Sequence, residues 1–80
     1  MDSAEQGIDL PILARNCEQL VSSGHFSIAL VPLRKLLHLD PNNWKARHLF
    51  IRCCLAEGGP DLMVEAAEEL SLILLQRSET

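Results

Sequence analysis

Three basic side chains recur at helical spacing in the middle of the chain. Lys45, His48 and Arg52 lie three and four residues apart, which places them on one face of an α-helix. Ammonium, imidazole and guanidinium groups gathered in this way can bind carboxylates, and arginine can do so with two parallel hydrogen bonds. The pattern therefore predicts a surface for an acidic peptide or a terminal carboxylate. The solvated face of an amphipathic helix has the same spacing, and both interpretations stay open.

The three cysteines and three histidines are residue types that bind zinc or act as nucleophile and base. Zinc sites usually pair their ligands at short fixed separations, and the sequence has no CxxC or comparable pair. Cys17 and at least one of Cys53 and Cys54 fall instead among apolar residues at helical spacing, where cysteine packs as a small apolar side chain. We expect reduced thiols, no metal and no other cofactor.

Sequence patterns typical of enzymes are not evident. The chain has no glycine-rich phosphate loop after a strand and no nucleophile elbow, and Gly58-Gly59 has the character of a turn. A Cys54–His48 pair is the nucleophile and base combination that remains, but short helical hairpins enclose little water-free volume for catalysis. We expect no catalytic residues and no enzyme.

Charge is unevenly distributed along the chain, which carries a net −4. Residues 25–52 hold five basic residues against one acidic residue, whereas the remaining segments are acidic. The overall charge predicts no binding to nucleic acid or to an anionic membrane. No apolar run exceeds four residues, the length of Leu72 to Leu75, which is far shorter than the roughly 20 residues that span a bilayer. We expect an intracellular protein, cytoplasmic or nuclear.

Apolar periodicity and helix-ending residues predict four helices that position these groups. Asp9 and Asn43 are candidate caps for the first and third helices, and Gly24 suits the end of the first. Pro32 falls inside the second helix and predicts a kink or a late start. The predicted apolar faces comprise Leu10, Leu13, Cys17, Leu20 and Val21; Phe26, Ala29, Leu33, Leu36 and Leu37; and Ala46, Leu49, Phe50, Cys53 and Cys54.

The fourth helix carries more apolar residues than one face can hold. With Asp61 as its expected cap, its predicted core residues are Met63, Ala66, Leu70, Ile73 and Leu74. Its glutamates, Glu65, Glu68 and Glu69, are expected to face solvent. Leu72 and Leu75 lie away from the core stripe, so we expect them to form an apolar interface with another protein or a second copy of the chain.

The two halves of the chain repeat. A shift of 37 residues carries Ala29 onto Ala66 and Leu36 onto Ile73, and a shift of 34 carries Gly24 onto Gly58. The additional three residues are expected in an enlarged turn between Gly58 and Asp61. The predicted domain is 9–77, with hairpins at about 9–39 and 43–77, a flexible acidic segment at 1–8 and a tail at 78–80.

The first hairpin resembles the tetratricopeptide-repeat family, whose unit is about 34 residues of helix, turn and helix. The resemblance rests on Gly24, Phe26, Ala29 and the closing segment 39–43, Leu-Asp-Pro-Asn-Asn. It covers about residues 10–76, more closely at 10–50 than beyond. It implies two antiparallel hairpins stacked as a short right-handed superhelix, and a concave groove that binds an extended peptide.

The resemblance also implies which residues face that groove: Arg15, Glu18, Ser22, Lys45, His48, Leu49 and Arg52. The carboxylate clamp of the co-chaperone members requires lysine and asparagine where this chain has Ala14 and Glu18, so we do not expect chaperone-tail binding. The sequence thus predicts an interaction scaffold that recruits a protein through a basic groove or an apolar carboxyl-terminal helix. The alternative is a dimerisation or assembly segment that uses no peptide groove.

Overall fold

The computed structural model describes residues 9–78 of the 80-residue chain. Every regular element in this range is α-helical: α1 (Leu10–Ser22), α2 (Phe26–Leu39), α3 (Trp44–Glu57) and α4 (Pro60–Ser78). The predicted all-α fold is confirmed, since α1 packs on α2, α3 packs on α4, and the two hairpins meet between α2 and α3. The predicted acidic segment at 1–8 lies outside the described residues, as do residues 79 and 80 of the predicted tail.

Local sequence signals account for the helix ends. The Asp9 carboxylate accepts a hydrogen bond from the Ile12 amide at 3.3 Å, and the Asn43 side chain accepts one from the Ala46 amide at 3.0 Å. Both close a first turn whose amides have no partner within the helix. Gly24 follows α1 with a φ of +82°, a conformation that glycine adopts at little cost. The predicted caps of α1 and α3 are therefore confirmed.

Helix α2 contains Pro32 and is nevertheless assigned as one helix from Phe26 to Leu39. The predicted late start is wrong, because the Ala29 amide already donates to the His25 carbonyl at 2.9 Å. Proline cannot donate a hydrogen bond to the carbonyl four residues earlier, which belongs to Ile28. Ile28 is 58% exposed, so this part of α2 faces solvent.

The turn between α3 and α4 is shorter than predicted. Helix α3 ends at Glu57 and α4 begins at Pro60, leaving Gly58 and Gly59 to reverse the chain with φ values of +76° and +97°. Asp61 lies in the first turn of α4 and not at its cap. The three additional residues of the second repeat therefore extend the amino-terminal end of α4, where a proline is well tolerated.

The core lies where α3 meets the other three helices. Its buried side chains are mostly aliphatic and thiol groups, with Phe50 the one aromatic residue among them. They are Cys17, Val21, Ala29, Leu30, Leu33, Leu36, Ala46, Phe50, Cys53, Cys54 and Ala66. Nine of the residues predicted for the apolar faces of α1, α2 and α3 belong to this set. The other six are only partly buried and pack against it: Leu10, Leu13, Leu20, Phe26, Leu37 and Leu49.

Helix α4 presents a different face to the core from the one predicted. Ala66 and Ile73 are buried as expected, but Met63, Leu70 and Leu74 are 36%, 47% and 57% exposed. Two expected solvent residues, Glu65 and Glu69, are instead partly buried toward the other helices. The prediction assumed that every periodic leucine was in the core, whereas α4 packs its backbone closely against α3 alone among the described helices and buries a narrower stripe.

Two arginine–glutamate pairs explain this orientation of α4. Arg34 of α2 donates to Glu65 from its two terminal guanidinium nitrogens, with Nη2 at 2.9 Å from Oε1, and also lies over the Phe50 ring. Arg47 of α3 is only 7% exposed, stacks on the Trp44 ring and donates from Nε to Glu69 Oε1 at 2.5 Å. A buried guanidinium requires such a partner, so Arg47 directs Glu69 toward α3.

Removing the partner of Arg47 should therefore destabilise the fold. We expect Glu69→Ala to lower the free energy of unfolding by about 2 kcal/mol, less than the ~3–5 kcal/mol of a fully buried pair because Glu69 is partly exposed. The exposed neighbour Glu68 gives a matched control, and Glu68→Ala should change stability by less than about 0.5 kcal/mol. Urea denaturation followed by circular dichroism measures both changes. Equal effects of the two substitutions would contradict this role of Glu69.

The Arg34–Glu65 pair should make stability depend on pH. Hydrogen bonding to Arg34 lowers the pKa of Glu65 below its ordinary value of 4.5. Its stabilisation is therefore complete above the pKa of the unfolded chain and is lost as pH falls through the lowered folded pKa. Glutamine cannot be protonated in this pH range. We therefore expect the Glu65→Gln variant to lose less stability than the wild type as the pH falls below 4.5. Thermal unfolding of both proteins between neutral and acidic pH checks the difference.

Candidate protein-binding surfaces

The predicted groove residues lie on α1 and α3, which are in contact. We call this surface the α1–α3 face; it comprises Arg15, Glu18, Ser22, Lys45, His48, Leu49 and Arg52. Arg15, Glu18 and Ser22 line one shallow depression on α1. Lys45, His48 and Arg52 are all exposed, as their spacing predicts. The structure thus places the predicted side chains on adjoining helices, and their binding role stays a prediction.

The charge of the α1–α3 face is partly cancelled within the chain. Lys45 Nζ lies 3.2 Å from a carboxylate oxygen of Glu18, and the two side chains are 71% and 40% exposed. Such a surface pair contributes roughly 0–1 kcal/mol, so a ligand carboxylate can compete for Lys45. Among residues 9–77, Arg15 and Arg52 form no ion pair. These two guanidinium groups give the face its net positive character.

A small pocket of about 70 Å³ lies beside the Glu18–Lys45 pair. Its floor is apolar, and its lining consists of Ala14, Glu18, Leu36, Asn43, Lys45, Ala46 and Leu49. This volume is far below the roughly 300–1,000 Å³ of sites for small organic ligands. It has room for one aliphatic side chain or a few waters next to the ion pair. The pocket thus suits a side chain of a bound peptide better than a cofactor.

Leu55 is a member of this face that the sequence analysis missed. It follows Arg52 by three residues and His48 by seven, which places all three on the same side of α3. Leu55 is 60% exposed, whereas the neighbouring Cys53 and Cys54 are fully buried. The spacing from His48 was a signal that could have found it. An apolar side chain among cations is common where a peptide is bound by both charge and contact.

A second surface runs along α4. Met63, Ala67, Leu70 and Leu74 are exposed and follow one another at intervals of four, three and four residues. We call this row the α4 seam. Leu72 and Leu75, the predicted apolar interface, are 43% and 59% exposed but lie off the seam. Leu72 is about 200° around the helix from Leu70, because each residue turns an α-helix by about 100°.

The buried thiols belong to neither surface. Cys17, Cys53 and Cys54 are free and 0% exposed, and burial raises the pKa of each thiol. A raised pKa keeps sulfur protonated at neutral pH, and protonated thiols are weak nucleophiles and weak metal ligands. Cys54 is buried while His48 is exposed, so the thiol does not reach the surface that carries the imidazole. Cys54 and His48 therefore do not share a surface on which they could act as nucleophile and base.

Neither a cluster of metal-binding side chains nor a membrane-spanning helix is found among residues 9–78. No group of three or more His, Cys, Asp or Glu side chains in this part of the chain could hold a metal ion. None of the helices within residues 9–78 combines the length and the apolar character that crossing a membrane requires.

Comparison with known proteins gives no family assignment. No family model matches the chain, and neither the search of curated proteins nor the search of solved structures returned a match. The two surfaces are therefore interpreted from their own geometry.

The burial of the three cysteines predicts slow thiol chemistry. We expect the folded protein to react with a thiol-specific disulfide reagent at least about 100-fold more slowly than an exposed cysteine, because reaction requires local opening. Leu55→Cys supplies that exposed thiol on the same helix as Cys53 and Cys54. Absorbance measurements should give one fast thiol in this variant, none in the wild type, and all three native thiols after denaturation. Rapid reaction of the folded wild type would contradict the burial.

Proposed function

We propose that this chain is a non-enzymatic protein–protein interaction module, a short tetratricopeptide-like scaffold that docks a partner protein on helix α4. The observation that carries this proposal is the apolar surface of α4. Its exposed large side chains are Met63, Val64, Leu70, Leu72, Leu74 and Leu75. Monomeric soluble proteins rarely expose contiguous apolar patches of more than a few hundred Å², and such patches commonly mark binding sites.

The energetics require the partner to be apolar as well. Full burial of a leucine stabilises by roughly 1.5–3 kcal/mol, and side chains already half-buried gain about half of that. Several such residues on α4 contribute roughly 5 kcal/mol. Association costs ~4–15 kcal/mol in lost translational and rotational freedom, so this gain offsets only the lower end of that cost. A partner that brings its own apolar stripe roughly doubles the gain. An amphipathic helix is the simplest element with that property.

The scaffold interpretation is supported by the stacking of two helical hairpins. Helices α1 and α3 open the two hairpins and lie in contact, as the first helices of tetratricopeptide repeats do. The small Ala29 is fully buried in α2, where the resemblance requires close approach of helices. The second hairpin deviates from the family pattern at its two-glycine turn. The family assignment accordingly remains part of the proposal.

A non-enzymatic role agrees with the chemistry of the buried groups. The three thiols have raised pKa values and no access to solvent, so they act as core side chains. Free thiols are also typical of reducing compartments, which supports an intracellular location, cytoplasmic or nuclear. The net charge of −4 supports a protein partner over nucleic acid.

The α1–α3 face is a second candidate docking surface, favoured by Arg15 and Arg52, which are exposed and form no ion pair among residues 9–77. An acidic peptide or a terminal carboxylate could bind these guanidinium groups and exchange with Glu18 at Lys45. Leu55 would add apolar contact. In this mode the chain recruits an extended segment rather than a helix.

The proposal predicts which substitutions abolish partner binding. We expect Leu70→Glu with Leu74→Glu to reduce recovery of specific partners from the native cell at least tenfold, because each glutamate would have to be desolvated in the interface. Ile28→Glu with Val31→Glu is the matched control, since these α2 side chains are 58% and 72% exposed and off the α4 surface. Quantitative crosslinking mass spectrometry on the tagged full chain measures recovery.

Charge-reversal substitutions show which of the two surfaces binds the partner. Loss of the same partners on Lys45→Glu with Arg52→Glu, and not on the α4 substitutions, would transfer the binding function to the α1–α3 face. Full recovery with all three double variants would contradict the interaction module itself. Circular dichroism of each variant confirms that the helices are retained.

A further inference from the structure

The groove between α1 and α2 shows how this fold receives a helix. Helix α3 packs on both of them. The apolar rows at this junction are buried or packed against the core: Leu10, Cys17 and Val21 on α1, and Phe26, Leu30, Leu33 and Leu37 on α2. The two helices of one hairpin therefore form an apolar groove, and the first helix of the following hairpin fills it.

The internal repeat places an equivalent row on α3. A shift of 34 residues carries the cap Asp9 onto the cap Asn43, and Gly24 onto Gly58, so it aligns α1 with α3 at both ends. The same shift carries the α1 row onto Trp44, Ile51 and Leu55. These three residues of α3 therefore correspond to the side of α1 that α3 covers.

The second row of the equivalent groove is the α4 seam. A shift of 37 residues carries the buried Ala29 and Leu36 of α2 onto Ala66 and Ile73 of α4, which are also buried. The α2 row then falls on the four residues of the α4 seam, Met63, Ala67, Leu70 and Leu74. We call the surface between this seam and the α3 row the α3–α4 groove.

No helix among the described residues fills the α3–α4 groove. Leu55 is 60% exposed, whereas its equivalent Val21 is 3% exposed. Leu70 is 47% exposed, whereas its equivalent Leu33 is fully buried. Equivalent side chains differ in exposure because α3 covers the first groove and no described helix covers the second. The occupant that restores this burial is a helix that packs on α3 and α4 together.

The charge at the rim distinguishes the two grooves. At the filled groove Glu18 of α1 lies 3.2 Å from Lys45, the second residue of α3. The shift of 34 residues carries Glu18 onto Arg52, so the sign of this rim position is reversed. Arg52 is exposed and forms no ion pair among residues 9–77. A helix seated in the same way brings its second residue to Arg52, which attracts a carboxylate and repels a lysine.

An acidic residue at that place also suits the helix that carries it. The first turn of an α-helix favours Asp and Glu, because its unpaired amides carry a partial positive charge. The row of the α4 seam continues to Arg77, three residues after Leu74, so the row itself ends on a cation. The α3–α4 groove therefore fits an amphipathic helix with an apolar stripe and an acidic first turn.

The described helices of this chain do not have that combination. The second residues of α1, α2 and α3 are Pro11, Ser27 and Lys45. In α4 the second residue is Asp61, which precedes Met63 by two residues and so lies about 160° around the helix from it. The carboxylate of Asp61 is thus directed away from the apolar row of its own helix.

Stacking of copies head to tail does not fill the groove either, because α1 is the helix that would enter it. The shift of 34 residues relates the buried Phe50 and Cys53 of α3 to Asn16 and Gln19 of α1. Both α1 residues are exposed and polar. Seating α1 as α3 is seated would remove these amides from water without matched partners, which is costly. The ligand helix therefore belongs to a different protein.

We propose that the α3–α4 groove binds an amphipathic helix of a different protein, which packs on α3 and α4 together and presents an acidic residue of its first turn to Arg52. This inference rests on the proposed function, in which α4 docks a partner, and adds α3 to the site and a charge to the ligand. The two apolar rows supply the contact, and Arg52 fixes the direction in which the ligand helix lies.

The probe is a synthetic peptide with the sequence of residues 43–57, because α3 is the helix that fills the equivalent groove. Cys53→Ala and Cys54→Ala in the peptide prevent disulfide formation, and a fluorescent label is attached at its carboxyl end. One peptide keeps Lys45, and a second carries Lys45→Glu. Fluorescence anisotropy measures the affinity of each peptide for the full 80-residue chain at low ionic strength, where a charge pair at the rim is least screened.

We expect the Lys45→Glu peptide to bind with a dissociation constant of about 100 μM or lower. It should bind about fivefold more tightly than the Lys45 peptide, the difference between an attractive and a repulsive partner at an exposed position. Arg52→Glu in the protein should reverse this order. The same order with both proteins would remove Arg52 from the site and overturn the proposal.

Matched controls test the groove and the helical form of the ligand. Leu70→Glu with Leu74→Glu in the protein should weaken binding of the Lys45→Glu peptide about tenfold or more, because the new carboxylates would have to be desolvated. Ile28→Glu with Val31→Glu should leave binding unchanged. Ile51→Pro in the peptide keeps its charge and breaks its helix, so binding should weaken to a similar extent. Undiminished binding of the proline peptide would indicate an extended acidic ligand and overturn the helix.

Amide chemical-shift mapping on the isotope-labelled full chain locates the bound peptide. We expect the largest changes at Ile51 and Leu55 on α3 together with Ala67 and Leu70 on α4. Changes confined to α4 would overturn the two-helix groove and leave docking on α4 in place.

The outcomes separate this inference from the proposed function. If the Lys45→Glu peptide does not bind up to about 1 mM while recovery of cellular partners still depends on Leu70 and Leu74, the inference fails and the proposed function stands. If recovery does not depend on these leucines either, both proposals fail. A wild-type chain that dimerises through the same leucines in sedimentation equilibrium would assign the groove to a second copy and overturn the choice of ligand.

Discussion

Helix α3 is the only described helix that packs against all three others, and its packing joins the two hairpins into one unit. The different sides of α3 have different roles. Ala46, Phe50 and Cys53 belong to the apolar core, and Arg47 binds Glu69 of α4. The remaining side carries Lys45, His48 and Arg52 into solvent. A chain of 80 residues has few core side chains. One helix that packs against all the others allows these side chains to form a single core.

The same arrangement leaves the two ends of the stack unequal. Helix α1 turns polar residues such as Asn16 and Gln19 outward, in the manner of a capping helix in a repeat array. Helix α4 turns leucines outward. Because α4 is oriented by two arginine–glutamate pairs and not by a continuous apolar stripe, its remaining leucines cannot rotate into the core without separating Glu69 from the buried Arg47. The exposed apolar surface is thus a consequence of how α4 is held.

Charge and apolar surface are consequently segregated on the molecule. The cationic residues of the α1–α3 face and the leucines of α4 belong to different helices, so a helix docked on α4 need not displace a peptide bound at Arg15. Interaction scaffolds with two independent surfaces can bridge two partners.

The amino-acid sequence by itself determined the local structure: the four helices, the caps at Asp9 and Asn43, the turn at Gly24 and the exposed row Lys45, His48 and Arg52. These features depend on residues within one or two turns of each other. Only the tertiary structure decided the orientation of α4, the burial of Arg47 and the exposure of Met63, Leu70 and Leu74. Apolar periodicity indicates that a side chain is suited to burial against another helix, but the number of neighbouring helices is a property of the assembled fold. On α4, where apolar residues extend around much of the helix, that number and the two arginine–glutamate pairs together determine which of them lie in the core and which lie at the surface.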